Sequence, residues 1–142
     1  MSNADAVTAL AGVAGADAVR PSVDADVVDG VRPAAVVEPG SADGVARVLG
    51  WASSRRLAVV VRGGGTKMGW GRAPGPIDVL LSTRRLARVL AHAHGDLTAT
   101  VESGVTLRRM NETLATERQW LPLESACDGA TVGGLLATND AG

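Results

Sequence analysis

The residues with the clearest chemical potential form a glycine-rich loop directly after an apolar stretch. Residues 62–67 read RGGGTK, and they follow the apolar run LAVVV. Consecutive glycine amides in a turn can point inward and form a concave binding site for an anion. Arg62 and Lys67 would add positive charge at the two edges of such a site. The pattern predicts a phosphate-binding loop, and a flexible surface loop stays open as the alternative.

Neither of the common phosphate motifs matches this loop. A P-loop requires Gly-Lys-Ser/Thr after a four-residue gap, whereas Lys67 here follows Thr66. A Rossmann fingerprint requires G-x-G-x-x-G at the start of a helix, but Met68 stands where its third glycine belongs. Pro74 and Pro76 also exclude a regular helix downstream.

A second glycine-rich segment near the end of the chain strengthens the phosphate interpretation. Residues 129–136 read GATVGGLL, which again offers clustered amides together with the hydroxyl of Thr131. Two glycine-rich loops, each beside a regular element, suit a diphosphate that is held from two sides.

Several other residues could carry chemistry, and each has a simpler interpretation. His92, His94 and Asp96 alternate along the chain and could share a metal. An exposed strand face is favoured, since no further His or Cys ligand is near them in sequence. Cys127 has no identifiable base that would make it a nucleophile. Trp70 could cover a cofactor or anchor a loop.

Charged residues outside the two loops are assigned no chemical role. Glu102 could be read as a general base, but we leave it unassigned. The cluster Arg84, Arg85 and Arg88 is most simply a solvated face.

The elements that position the first glycine loop have a parallel β-α-β pattern. Residues 3–14 could form an Ala-rich helix, and at most a brief strand is expected near Val27 and Val28. A buried strand at AAVVEP precedes Ser41, which is a good N-cap for a helix that ends near Arg55. The run LAVVV is predicted to be the next buried strand, parallel to the first one.

The later elements indicate an antiparallel continuation. Another strand is expected over residues 77–82. Residues 88–94 and 97–104 flank Gly-Asp, a hairpin signal. Thr106 should cap a helix with one apolar face, and the segment 129–142 could begin another short helix. The fold is therefore predicted to be mixed α+β.

Composition restricts the classes of function. The chain has 142 residues, 46% of them hydrophobic and 2% aromatic, with a formal net charge of −1. This charge favours neither nucleic acid nor an anionic membrane as a partner. The single cysteine excludes an internal disulfide, and the start of the chain is a poor signal peptide. No apolar run approaches the roughly 18 residues of a membrane span, so we expect a cytoplasmic protein.

Four motifs in a fixed order resemble one known family. VRGGGTKMGWG is followed by IDVLLSTRRLARVL, then by GDLTATVESGVTLRRMNETLA and by GATVGGLLATNDAG. They resemble the FAD-binding domain (PCMH-type) of the vanillyl-alcohol oxidase / p-cresol methylhydroxylase superfamily. Within it, the chain is most similar to the flavin-domain subunit of bacterial glycolate oxidase. The resemblance divides the chain into an N-terminal helix and loop, residues 1–27, and the N-terminal part of the FAD domain, residues 28–142.

The resemblance implies a fold and a set of cofactor-binding residues. It implies a small βαβ subdomain followed by the start of an antiparallel-sheet subdomain, with the flavin extended between them. The FAD pyrophosphate would be held by the two glycine loops, largely through backbone amides. Many relatives attach the flavin to a histidine that aligns with Thr66, so non-covalent FAD is expected here. The implied binding residues are Arg62, Gly63, Gly64, Gly65, Thr66, Lys67, Thr131, Gly133, Gly134 and Asn139.

The resemblance also implies a function and leaves parts of it open. It implies the FAD-binding part of an oxidoreductase that oxidises a 2-hydroxy acid such as glycolate, alongside other glycolate oxidase-type subunits. The segment ESACDG, residues 124–129, departs from the proline-containing family version. The family's domain continues beyond Asn139, so we expect a truncated fragment and assign no catalytic residue. The alternatives are a non-catalytic remnant or assembly module, and a nucleotide-binding protein unrelated to flavin.

Overall fold

A computed structural model describes residues 3–123, 125, 127 and 129–140. Part of the divergent segment ESACDG, namely Glu124, Ala126 and Asp128, lies outside the described residues, as do the last two residues of the chain. The described residues form two compact units. The first unit contains residues 3–62 and 68–85, and the second contains residues 63–67 together with the residues from 86 onward.

The first unit contains two helices and a four-stranded sheet. The helices are α1 (Asn3–Ala14) and α2 (Ala42–Ser54), and the strands are β1 (Val19–Arg20), β2 (Ala35–Val37), β3 (Val59–Arg62) and β4 (Val79–Ser82). Helix α2 begins where its cap was predicted, because the Ser41 hydroxyl accepts a hydrogen bond from the Gly44 amide at 3.1 Å.

The sheet has the order β1-β2-β4-β3. Strands β2 and β3 both run parallel to β4, while β1 pairs antiparallel with β2. The predicted parallel relationship of β2 and β3 is therefore confirmed, with β4 inserted between them. In β2 and β4 the side chains alternate between two buried faces, which explains why these strands read as continuous apolar runs. The prediction that LAVVV is also buried is wrong, since β3 lies at the edge of the sheet and Val61 is 55% exposed. One face holds Ala35, Val37, Val79 and Leu81 against α1 and α2, and the other holds Val36 and Leu80.

The sequence predicts at most a brief strand near Val27 and Val28, and the structure has only an isolated bridge there. The short strand lies earlier, at Val19–Arg20. Residues Asp24–Asp26 form a 3-10 turn, after which Val28 makes only an isolated bridge to Val31. The turn forms because the Asp26 carboxylate accepts a hydrogen bond from the Val23 amide, at 2.9 Å.

The second unit contains an antiparallel hairpin and two helices, as the sequence predicts. The hairpin strands are β5 (Val89–Ala93) and β6 (Thr98–Val101), and the helices are α3 (Leu107–Ala115) and α4 (Val132–Thr138). The predicted cap of α3 is confirmed, since the Thr106 hydroxyl accepts from the Arg109 amide at 3.2 Å. Met110, Leu114 and Val105 form the buried core of this unit. The hairpin turn is a 3-10 turn, His94–Asp96, and not a two-residue Gly-Asp turn.

Candidate functional site

The first loop, residues 63–67, joins the end of β3 to the chain that leads to β4. Within the described part of the chain, the amides of Gly63, Gly64, Gly65 and Thr66 donate no hydrogen bond. Gly65 has a φ of 79°, a left-handed conformation that side chains disfavour. Successive amides beside a left-handed residue are the ingredients of a backbone anion site. This loop can therefore offer a set of donors to an anionic group.

The second loop, residues 129–134, uses most of its amides within its own unit. The amides of Val132 and Gly133 donate to the carbonyls of Val105 and Ser103, at 2.8 and 2.9 Å. The Gly134 amide donates to the Thr131 hydroxyl at 3.2 Å, which caps α4. The second loop therefore has fewer amides available for a ligand than the first loop.

The glycines of the two loops allow the loops to touch each other. A Cβ on Gly63 would overlap the Thr131 hydroxyl, and one on Gly64 would overlap the Gly129 carbonyl. A Cβ on Gly133 would lie 2.7 Å from the Cβ of Ser103. At these three positions glycine is required by the contact of one chain segment with another. Glycine there is thus explained without a ligand, and the second loop supports the first.

Asn139 and Thr131 have conformational roles at the two ends of α4. Asn139 adopts a left-handed conformation with a φ of 51° and ends the helix. Thr131 is 2% exposed, so its hydroxyl faces the protein interior. Sequence alone had grouped both residues, with Gly133 and Gly134, as candidate contacts of a cofactor.

The two basic residues beside the first loop have acidic partners. Lys67 forms an ion pair with Asp140, and both side chains are largely buried. Arg62 forms an ion pair with Asp26 at 2.6 Å within the first unit. Neither acidic partner was recognised from sequence, since Asp140 and Asp26 lie 73 and 36 residues from their partners.

Asp26 is a buried carboxylate with several donors. Arg20 contacts both of its oxygens, at 2.5 and 2.9 Å, and Arg62 contacts one of them. The hydrogen bonds from Arg20, followed by those from Val23 and Arg62, hold the pKa of Asp26 well below its usual range. The Arg62 Nε atom is buried and has no hydrogen-bond partner among the described residues.

The other candidate residues make contacts of a structural kind or are exposed. The Glu102 carboxylate accepts hydrogen bonds from the backbone and guanidinium of Arg88, which lowers its pKa. His92 contacts the Gln119 side chain at 2.9 Å. Cys127 and Trp70 are exposed.

No metal centre or membrane helix is present among the residues that the structure describes. They include no group of three or more His, Cys, Asp and Glu side chains that could hold a metal ion. None of the described helices has both the length and the apolar character to cross a bilayer.

A family model described as "FAD binding domain" matches residues 33–142. Among individual proteins, the chain is 31% identical to the D-lactate dehydrogenase of Archaeoglobus fulgidus over 107 residues. It is 32% identical to the D-2-hydroxyglutarate dehydrogenase of Xanthomonas citri pv. viticola, and 30% identical to the glycolate oxidase subunit GlcD of Bacillus subtilis. These matches cover 75 to 78% of this chain but 24% of each relative, so the chain spans about a quarter of their length.

Solved structures match the fold as well. An alkyldihydroxyacetonephosphate synthase superposes with a TM-score of 0.70 at 25% identity, over 78% of this chain and 23% of that protein. The 4-ethylphenol oxidase of Gulosibacter chungangensis superposes with a TM-score of 0.68 at 24% identity, over 93% of this chain and 28% of that protein. These similarities agree with the predicted α+β fold class.

The predicted family is confirmed by the extent of these matches. The family model covers most of the chain, and it includes both glycine-rich loops. The relatives are dehydrogenases and an oxidase subunit, so the family is enzymatic. The chain therefore belongs to the PCMH-type FAD-binding domain family of flavin-dependent oxidoreductases.

Proposed function

We propose that the first loop binds the pyrophosphate of FAD through the amides of Gly63, Gly64, Gly65 and Thr66. The observation that carries this proposal is that these four successive amides donate no hydrogen bond to the described residues. A diphosphate offers several acceptor oxygens, and charge-assisted hydrogen bonds from amides to such oxygens are stronger than neutral ones. The amide donors therefore fit the most highly charged part of FAD.

In this proposal the second loop contributes mainly support. Thr131 and Gly129 hold Gly63 and Gly64 in place, Gly133 joins α4 to Ser103, and the Gly134 amide donates to the cap of that helix. Lys67 supplies positive charge beside the amides and is balanced by Asp140. Asn139, which ends α4, acts on the site through the position of that helix. Residues 28–142 would supply the FAD-binding part of the chain.

We further propose that FAD is bound without a covalent bond at Thr66. A threonine hydroxyl is a poor nucleophile without an adjacent base, and no side chain among the described residues hydrogen bonds to it. A denaturing acid precipitation of the FAD complex tests this point. All of the yellow colour should remain in the supernatant, and colour in the pellet would contradict the proposal.

The substrate proposed for the whole protein is a small 2-hydroxy acid. The named relatives act on D-lactate and D-2-hydroxyglutarate or belong to a glycolate oxidase, and these compounds share a hydroxyl next to a carboxylate. When bound, the flavin supplies the hydride acceptor, while the protein supplies binding and orientation. Glycolate is one of the hydroxy acids included in this proposal. The proposal also includes partner subunits that receive the electrons.

A titration of the purified chain with FAD tests the central proposal. Binding should quench flavin fluorescence in a saturable manner and shift the flavin absorbance bands. ATP, which has phosphates but no flavin, should compete only weakly. Failure of FAD to bind would overturn the proposal, and equal competition by ATP would favour a nucleotide site unrelated to flavin.

A further inference from the structure

We propose that Asp26 is a positioning residue for the FAD-binding loop, and this inference rests on the proposed function. Asp26 lies outside residues 33–142, the part of the chain that matches the family model. Its carboxylate contacts Arg62, the last residue of β3, and Gly63 follows Arg62 directly. A contact that fixes Arg62 therefore fixes the point at which the loop begins.

Arg62 is attached to the Asp24–Asp26 turn at two points. Its Nη2 donates to the Asp26 Oδ1 at 2.6 Å, and its Nη1 donates to the Ala25 carbonyl at 3.1 Å. The Arg62 side chain is 10% exposed and that of Asp26 is 1% exposed. A buried guanidinium held at two points has little rotational freedom, which restricts the backbone that carries it.

This ion pair is poorly explained as a device for stability alone. Burial of a charged pair costs desolvation energy, and apolar side chains of similar size often stabilise a fold as well or better. The Arg62 Nε atom is buried without a partner among the described residues, which adds a further cost. A role in fixing the start of the loop accounts for the pair in spite of these costs.

Arg20 completes the arrangement from the opposite side of the carboxylate. It contacts both oxygens of Asp26 and is itself more exposed, at 39% of its side chain. Asp26 is thus held by Arg20 and by the Val23 amide, and it in turn holds Arg62. The carboxylate is positioned independently of the loop, as a positioning residue must be.

Two readouts on Asp26→Asn test the inference. The FAD dissociation constant should rise on the order of tenfold, by analogy with outer residues that orient the ligands of a metal ion. Trypsin should cut the Arg62–Gly63 bond several times faster than in the wild type, since the freed guanidinium can enter the protease. Cleavage after Arg72, an exposed arginine in the same unit, should keep its rate and serves as the internal reference.

Asp24→Asn is the matched control, because Asp24 lies in the same turn and forms an exposed ion pair with Arg32. It should change neither FAD affinity nor cleavage after Arg62. If Asp26→Asn gives no cooperative melt, Arg62→Lys replaces it, since lysine keeps the charge but loses the two-point attachment. Arg62→Lys should then weaken FAD binding.

Wild-type affinity in the folded variant would overturn the positioning role, as would equal weakening by Asp24→Asn. Failure of the wild type itself to bind FAD is a different result. It would overturn the proposed function, and the positioning role would fall with it.

Discussion

The carbonyl oxygen of Gly129 lies so close to Gly64 that no side chain fits between the two backbones. Both residues belong to the second unit, and their contact joins one glycine-rich loop to the other. The obstructing atom is a backbone oxygen, which cannot rotate away as the end of a flexible side chain can. The position of the first loop therefore depends on a residue at position 64 that has no Cβ.

Replacement of Gly64 by alanine should damage the site. The added methyl group must separate the two loops, and overpacking of this kind costs about 1–3 kcal/mol of unfolding free energy. FAD affinity should fall as well, because the amides of the first loop would shift. Both effects can be measured by urea unfolding and by flavin fluorescence. Gly71→Ala is the control, since a Cβ there meets no atom within 4 Å. Equal unfolding free energies and equal FAD affinities in the two variants would show that the contact between Gly64 and Gly129 does not position the loop.

Thr131 should act through its hydroxyl. In Thr131→Val the Gly134 amide loses its acceptor, and loss of such an N-cap costs about 1 kcal/mol. Thr131→Ser keeps the acceptor and should retain most of the stability. Thr138→Val removes a hydroxyl from the other end of the same helix and should change the unfolding free energy by less than about 0.5 kcal/mol. A valine variant as stable as the serine variant would show that the cap is unimportant.

Asp140 should weaken the binding of an anionic ligand to the first loop. Its carboxylate pairs with Lys67, the residue after Thr66, and so offsets positive charge beside the amides. Asp140→Asn should tighten FAD binding roughly twofold to fivefold at low salt, with a smaller effect at high salt because ions screen the charge. Fluorescence titrations at two ionic strengths measure this effect. Asp96→Asn, at an exposed position in the hairpin turn of the same unit, should have no effect. Weaker FAD binding by Asp140→Asn than by the wild type would contradict this prediction.

Asp26 should make the stability of the protein depend on pH in acid. Its pKa in the folded protein is lowered, chiefly by hydrogen bonds from Arg20, below the value of about 3.9 in an unfolded chain. The unfolded state therefore takes up the proton first as pH falls. The stabilisation is complete above about pH 3.9, and it is lost as the pH falls towards the folded pKa.

Urea unfolding of the wild type and Asp26→Asn at several pH values measures this effect. The difference in unfolding free energy should be largest near neutral pH and should shrink in strong acid. Other carboxyl groups are common to both proteins and cancel in the difference. A difference that does not change with pH would argue against the lowered pKa.

Local signals in the sequence predicted the elements well. Ser41 and Thr106 each cap a helix as predicted, because an N-cap depends only on residues three positions away. The apolar runs of β2 and β4 likewise predicted buried strands, whereas the same prediction for β3 is wrong, because β3 lies at the edge of the sheet and leaves Val61 exposed. The position of β4 between β2 and β3 was not readable, since strand order depends on pairing between distant segments.

Contacts between distant residues account for what the sequence did not reveal. The clustered glycines correctly drew attention to both loops, but their reason is visible only in space. Gly133 is required by Ser103, and Gly63 by Thr131. The pairing of Asp26 with Arg62 joins residues 36 positions apart, and no pattern in the sequence indicates such a pair.

The dependence of Gly64 on Gly129 also implies an order of folding during synthesis. Residues 63–66 leave the ribosome early, whereas Gly129 and Thr131, against which they pack, are translated much later. Strands β2, β3 and β4 can already pair while the nascent chain grows, since proteins fold largely from the N-terminus during synthesis. The loop must wait without its contacts to Gly129 and Thr131 until those residues are translated. A nascent chain that ends before that point would have the sheet but not the arrangement of amides that receives the cofactor.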